Sequence, residues 1–293
     1  MKAVLFGKRI DKTNIGKLVL FINKLKEYGQ IEFCYHKSFY ELVKNFSLVL
    51  PPGEIFSCSE DLPADTDIFL SLGGDGTFLE SLTVVKEKEI PIAGINFGRL
   101  GFLTTACVEE NNPWIEKLLE GDYAIEERTL LHLGKEVMPQ GFYPYAMNEI
   151  TIQRLSPSML EINISIDGQK LPKYWSDGIL VATATGSTAY SLSIGGPIVT
   201  PDSKVLIIAP ISPHNLNVRP LVVPDSSKVE ISFQGRNPKA LLTVDNRSFE
   251  IGAGETVTIE KGKFPIKSIS INNNFIADLN QKLLWGEDKR NMQ

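Results

Sequence analysis

The sequence predicts an α/β domain followed by a mostly β domain, and three observations carry that prediction. Up to about residue 120, short apolar runs alternate with segments of helical period. Beyond it, strand-like runs separated by turn residues dominate. Within the first part, Leu72-Gly73-Gly74-Asp75-Gly76-Thr77 joins the apolar run Asp67–Leu72 to a helical stretch, Thr77–Val85. Alternating strands and helices form open α/β sheets, whose ligand crevice lies at the carboxyl ends of the strands.

The elements follow in order. Ala3–Gly7 is a short strand, and Asn14–Tyr28 carries Ile15, Leu18, Leu20, Phe21 and Leu25 at mostly helical spacing. Ile31–Tyr35 is a second strand, Ser38–Phe46 a second helix, and Val49–Gly53 a break. A third strand leads into the glycine-rich turn and its helix, and Ile90–Asn96 is the next strand. Pro113–Leu119 is a helix closed by Gly121. Together these make a Rossmann-like open sheet. From about Tyr123 the expected strands are 129–133, 146–153, 160–166, 178–182, 205–210, 229–233, 241–244 and 256–260, spaced as in a sandwich. Phe275–Trp285 reads as helical. The expected division is 1–124 as the α/β domain, 125–265 as the β-rich domain, and 266–293 as a C-terminal segment packing back on the first.

Composition narrows the function. The 293 residues suffice for two cores, and 43% apolar with 22% charged residues is ordinary for a globular protein. Net charge is −5 and no basic block exists, so neither nucleic acid nor an anionic membrane is an expected partner. Cys34, Cys58 and Cys107 show no paired spacing, which suits a reducing compartment. The N-terminal apolar run is too short for a signal peptide, and no run nears the ~18 residues of a spanning helix. A cytoplasmic location is expected.

The turn at 73–77 carries the chemistry. Glycines let backbone approach a ligand closely, and the N–H groups of such a turn and of a following helix attract phosphate. A carboxylate there repels phosphate. It makes sense if it binds a metal or takes a proton from an attacking hydroxyl. The simpler alternative is that Asp75 caps the helix. Gly74, Thr77 and Phe78 flank the position.

Two later stretches add polar groups. Asn148-Glu149 interrupts a β-like run; the pair fits a bulge, or an amide and carboxylate holding the vicinal hydroxyls of a ribose. Ser176–Pro197 runs from a buried strand into a loop rich in Gly, Ser and Thr and then a helix, with Tyr190 able to stack on a base or simply pack. His214 sits in a Pro-bounded loop, where a structural role is the default. Asn96–Leu103, with Gly98 and Gly101 around Arg99 and Leu100, is either a structural turn packing against the main site or a direct ligand contact.

Gly-Gly-Asp-Gly-Thr after a buried strand resembles the signature of NAD kinases, of diacylglycerol and sphingosine lipid kinases, and more loosely of phosphofructokinases. The order and spacing of that motif with Asn148-Glu149, the 177–197 run, Pro213-His214 and Arg219-Pro220 resembles the bacterial NAD kinases, over about residues 67–225. The resemblance implies phosphoryl transfer from ATP, or another phosphoryl donor, to the 2′-hydroxyl of the adenosine ribose of NAD. It makes Asp75 the proton acceptor with Gly76 beside it. It implies that Asn148, Glu149 and Asp177 bind NAD, that Thr185, Thr188, Ala189, Tyr190 and Ser193 line the adenine and ribose pocket, and that His214 lies near the site. Arg247 falls near a further NAD contact. A divalent cation, Mg²⁺ by expectation, and a homo-oligomer, dimer or tetramer, with sites completed across subunits are also implied. Glu80, Trp175-Ser176 and Thr183-Ala184-Thr185 depart from the family pattern. A lipid or sugar kinase and a non-catalytic NAD(P) sensor are the alternatives.

Overall fold

The computed structural model describes residues 1–46, 48–98, 101–108, 113–271 and 275–283. The chain divides into two compact units, 1–126 with 266–293, and 127–265.

The first unit begins with β1 (Lys2–Phe6), α1 (Ile15–Glu27), β2 (Glu32–His36), α2 (Lys37–Lys44), β3 (Gly53–Phe56), β4 (Ile68–Leu72), α3 (Asp75–Val85), β5 (Ile92–Asn96), β6 (Ala106–Cys107), α4 (Pro113–Glu120) and β7 (Ala124–Arg128). β4 is buried along its whole length, as a strand covered on both faces must be. α1 presents Leu18, Phe21, Ile22 and Leu25 to the core, the i, i+3, i+4, i+7 stripe that its sequence shows.

The second unit holds β8 (Leu131–Leu133), β9 (Tyr145–Ala146), β10 (Glu149–Arg154), β11 (Leu160–Ile166), β12 (Gln169–Lys170), β13 (Tyr174–Ser176), β14 (Gly178–Thr183), the single turn α5 (Tyr190–Ser193), β15 (Val205–Ile211), β16 (Leu221–Pro224), β17 (Val229–Gln234), β18 (Lys239–Val244), β19 (Arg247–Gly252) and β20 (Thr256–Lys261). The chain then returns to the first unit with β21 (Ile266–Ser270) and α6 (Phe275–Leu283).

The first unit's sheet has the order β3-β2-β1-β4-β5-β21-β7, with β6 beside β5. Its β1–β2, β1–β4, β2–β3, β4–β5, β5–β6 and β5–β21 pairings are parallel. The second unit contains two antiparallel sheets, β16-β15-β14-β10-β18-β19 and β12-β11-β17-β20-β8-β9, with β13 on β11. Their inner faces form one core in which Ile150 and Ile152, Ile162 and Ile164, Ile231 and Phe233, and Leu242 and Val244 alternate with outward residues. β14 is buried on both faces, because residues of the 190–199 stretch cover its outer side.

Several expectations are corrected. The break at 49–53 leads into β3, so the strand entering the glycine turn is the fourth. Three of the four β3 residues are exposed, and such an edge strand lacks an apolar pattern. The run 146–153 is two strands, β9 and β10, in different sheets, with a corner at Met147-Asn148. The helix expected at the end of the 176–197 stretch is one α turn behind a 3₁₀ turn at Thr185–Thr188. Arg99, Leu100 and Trp285 lie outside the described residues.

Besides its pairing with β5, β21 is tied into the first unit through the Thr105 side chain. Thr105 Oγ1 accepts from the Gly94 N–H (3.1 Å) and donates to the Ile269 carbonyl (2.7 Å). Thr105→Val removes both bonds without changing shape. It is expected to cost about 1–3 kcal/mol, the range for stranding a buried polar group. Urea unfolding should show a lower midpoint at unchanged slope.

Candidate active site

Each unit carries its own cluster of the residues singled out in the sequence. In the first unit the glycine turn follows the C-terminal end of β4. A Cβ at Gly73 would meet Thr77 Oγ1 at 2.3 Å, so the turn closes only over glycine. Gly74 is the N-cap of α3, and its carbonyl accepts from the Thr77 and Phe78 N–H groups (2.9 and 3.2 Å). Asp75 is the first helical residue. Its carboxylate does not cap α3. Oδ2 accepts from the Phe102 N–H (2.9 Å) and Oδ1 from the Leu103 N–H (3.1 Å). Gly101 lies against the same carboxylate, where an added Cβ would sit 2.0 Å from Oδ1. The segment 101–103 therefore grips Asp75 from one side, and one negative side chain in the first turn suits the helix dipole.

Gly76 behaves differently. It is exposed, its φ is not positive, and nothing stands within 4 Å of an added Cβ. The fold of this unit has no use for a glycine there. Phe78 points inward, fully buried against Gly94. Glu80 is paired with Lys8 at 2.8 Å.

In the second unit Asn148 and Glu149 form the corner between β9 and β10. Asp245, at the tip of the β18–β19 hairpin, holds that corner with a side chain that is fully buried. It accepts from the N–H groups of Met147 (2.9 Å), Asn148 (2.8 Å) and Glu149 (3.2 Å). From the other side the Asn148 carbonyl accepts from the Thr183 N–H (3.0 Å), and Gly186 presses so close that a Cβ would lie 2.1 Å from that oxygen. The turn carrying Thr185, Thr188 and Ala189 is thereby packed on the corner, with Tyr190 and Ser193 in the α turn that follows. Thr185 is buried, Thr188, Ala189 and Tyr190 are half-buried, and Ser193 is exposed.

Glu149 is the electrostatic anomaly. Burial, and then the nearby Asp245 carboxylate, push its carboxyl up to about 8, against the pull of the Tyr190 N–H. Its Oε2 is buried with no hydrogen-bond partner. Arg247 spends its guanidinium on the chain leading into the corner. It donates to the carbonyls of Tyr143 and Tyr145 (2.6 Å each) and lies over the Phe142 and Tyr143 rings.

Asp177 and His214 are elsewhere. In the β10–β14 register Glu149 faces Ala182 and Gln153 faces Gly178, so Asp177 lies at the far end of the sheet. Five residues of strand separate the two ends, roughly 17 Å at ~3.4 Å per residue. Asp177 is held by a two-pronged ion pair with Arg154 (both contacts 2.9 Å). His214 is exposed at that same end, its N–H donating to the Trp175 carbonyl (2.7 Å). Sequence reasoning passed over Asp245 and Arg154, while the 96–103 stretch, read as a turn packing on the site or a ligand contact, does pack on Asp75 through 101–103. The Asp245-Asn246 pair between two apolar strands is a hairpin signal that marks the tip, though not what the side chain reaches.

Glu149 also makes stability depend on pH. A carboxyl whose folded value lies above its ordinary 4.5 binds a proton the unfolded chain releases, so stability falls as pH rises from 4.5 to about 8. Glu149→Gln removes that loss. Its melting temperature is expected to exceed that of the wild type above pH 8 and to match it near pH 4.5. The gap is of the order of a few kcal/mol, at ~1.4 kcal/mol per pKa unit.

Comparison with known proteins places this geometry. Residues 54–123 match the model of the ATP-NAD kinase N-terminal domain, and residues 147–271 that of the ATP-NAD kinase C-terminal domain. An NAD kinase of Cytophaga hutchinsonii is 42% identical, covering 98% of this chain and 99% of its own. One from Flavobacterium psychrophilum is 39% identical over 99% and 100%. The structure is similar to yeast NADH kinase complexed with NADH (TM-score 0.86, 26% identity, 100% of this chain and 90% of that one). It is also similar to an NAD kinase from Archaeoglobus fulgidus in complex with ATP (TM-score 0.71, 27% identity, 97% and 99%). With family models over most of its length and relatives near 40% identity across nearly all of it, the chain belongs to the NAD kinase family.

Proposed function

We propose that this chain transfers the γ-phosphoryl group of ATP to the 2′-hydroxyl of the adenosine ribose of NAD, with Asp75 as proton acceptor. The observation that carries the reading is the setting of Asp75. It stands at the carboxyl end of a parallel strand, with one side fixed by two N–H donors and a glycine on its other neighbour that the fold itself does not require. The 2′-oxygen bonds to the γ-phosphorus as the bond to the β–γ bridging oxygen breaks. Its proton passes to the Asp75 carboxylate, and ADP leaves. Asn148 and Glu149 bind the dinucleotide, and Thr185, Thr188, Ala189, Tyr190 and Ser193 line its adenosine part. Similarity to a kinase complexed with NADH and to another in complex with ATP supports the two substrates.

Among the described residues no group of three or more His, Cys, Asp or Glu is placed to hold a metal. The residues do not fit a resident ion, so Mg²⁺ is assigned to the substrate, as the ATP complex. The free cysteines support a reducing, cytoplasmic setting, and among the described residues no helix is long and apolar enough to cross a membrane.

The separation of Asp177 from Glu149 supports a homo-oligomer in which Asp177 serves the site of a neighbouring copy. Asp75→Asn and Asp177→Ala should each lose activity as pure assemblies. Co-expressed with different tags, the mixed assembly should recover part of it. Activity equal to the average of the two parents would place Asp177 outside any shared site.

For the base itself, Asp75→Asn keeps the shape and removes the acceptor. It is expected to lower kcat by about 10²–10⁴-fold, the usual worth of general base catalysis, with NAD affinity largely kept. Near-full turnover in the variant would make Asp75 structural.

A further inference from the structure

One buried charge has no part in the reaction as described. Asp245 is fully buried, and the nearest cationic atom, Arg247 Nη2, is 3.8 Å away with its guanidinium already committed to the carbonyls of Tyr143 and Tyr145. A charge in such a place is costly unless hydrogen bonds compensate it. Here the compensation is the three consecutive N–H groups of Met147, Asn148 and Glu149. Arg247 grips the same chain from its carbonyls just upstream, so the hairpin tip holds both polarities of the backbone from 143 to 149. The Asp245 N–H closes the ring by donating to the Glu149 carbonyl (3.0 Å).

The same arrangement decides where the proton lies. Two carboxyl groups share the buried corner. Burial raises both carboxyls; on Asp245 three N–H donors oppose that rise, while Glu149 leaves Oε2 without any. The groups facing the pair are Arg247 from β19, which is nearer Asp245, and the Tyr190 N–H from the α turn, on the Glu149 side. Two like charges in one site cannot both ionise cheaply, so the proton stays on Glu149.

We propose that Asp245 is a positioning residue for the dinucleotide: it fixes the backbone of Asn148 and Glu149 and keeps Glu149 a neutral acid when NAD binds. A neutral carboxyl donates once and accepts, which matches a ribose hydroxyl, and it adds no negative charge beside the NAD phosphates. The inference rests on the reading that Asn148 and Glu149 bind NAD.

The test is steady-state kinetics with NAD and ATP varied separately, with NAD binding by calorimetry, across pH 6–9. Asn148→Ala and Glu149→Ala check the underlying reading, and both should raise the NAD KM. If they do not, that reading fails. Asp245→Asn should raise the NAD KM by about 10–100-fold, the range of one lost charged hydrogen bond, and leave the ATP KM unchanged. If the alanine variants raise it and Asp245→Asn does not, the positioning role fails and the reading stands. Glu149→Gln mimics the neutral acid, so whatever its KM at pH 7, it should lose the rise in NAD KM that the wild type shows above about pH 8. In Asp245→Asn that rise should begin at lower pH. A purely structural Asp245 would raise both KM values together and leave the pH profile in place. Should Asp245→Asn fail to fold, infrared spectra of the wild type at pH 7 should still contain a buried carboxylic-acid carbonyl band that Glu149→Gln abolishes. Its absence would overturn the proposal.

Discussion

Buried peptide N–H groups must find acceptors, and in both units the chemistry-bearing segment finds them on a carboxylate. Asp75 takes the N–H groups of Phe102 and Leu103, and Asp245 takes those of Met147, Asn148 and Glu149. The device is the same and the consequences differ by count. A carboxylate offers about four lone-pair directions. Three donors and complete burial leave Asp245 with nothing to offer a ligand. Two donors on one side, and partial exposure, leave Asp75 oriented yet still able to accept a proton. That remaining capacity is what separates Asp245, a support, from Asp75, the proposed base.

The strands and helices were largely legible because they follow local pattern. The fully apolar β4 and β14, the stripe of α1 and the period-two strands of the sandwich each carry their signal within a few residues. The resemblance to NAD kinases read from 73–77, 148–149 and 177–197 agrees with the family to which the chain belongs. What escaped was non-local. Asn148 and Asp245 are 97 residues apart in sequence, and the bond between them is what turns a continuous β-like run into a corner. Asp75 and Phe102 are 27 apart; the sequence allows the 96–103 turn to pack on the site, but does not say which N–H groups the carboxylate takes. The pairing of Asp177 with Arg154 likewise depends on the β10–β14 register, which no single stretch encodes.

Glycines divide by the same criterion. Gly101 and Gly186 look like loop residues in the sequence, and both prove to be contact points where backbone must lie against Asp75 or Asn148. Their requirement comes from a partner elsewhere in the chain. Gly76 has no such partner and no positive φ. A position beside the proposed base where the fold would tolerate a side chain, yet which lacks one, is best explained by something outside the polypeptide that needs the room.

The departures from the family pattern can be weighed in the same way. Glu80, five residues after Asp75 on α3, would add a negative charge near the proposed phosphate site. It is instead paired with Lys8 at 2.8 Å, and both side chains are partly exposed. Such a pair contributes little to stability, but opposite charges a few ångströms apart cancel at longer range, and solvent screens the remainder. The substitution therefore alters the sequence pattern more than the field. Trp175 is similarly contained. Its backbone is fastened to the 213–216 loop through the Asn215 Oδ1 and the His214 N–H (2.7 Å each), and its ring lies exposed at the end of the sheet that holds Asp177. Among the described residues Glu80 pairs with Lys8 and not with the 101–103 segment that grips Asp75, and Trp175 is fastened to the 213–216 loop and not to the Asn148–Glu149 corner.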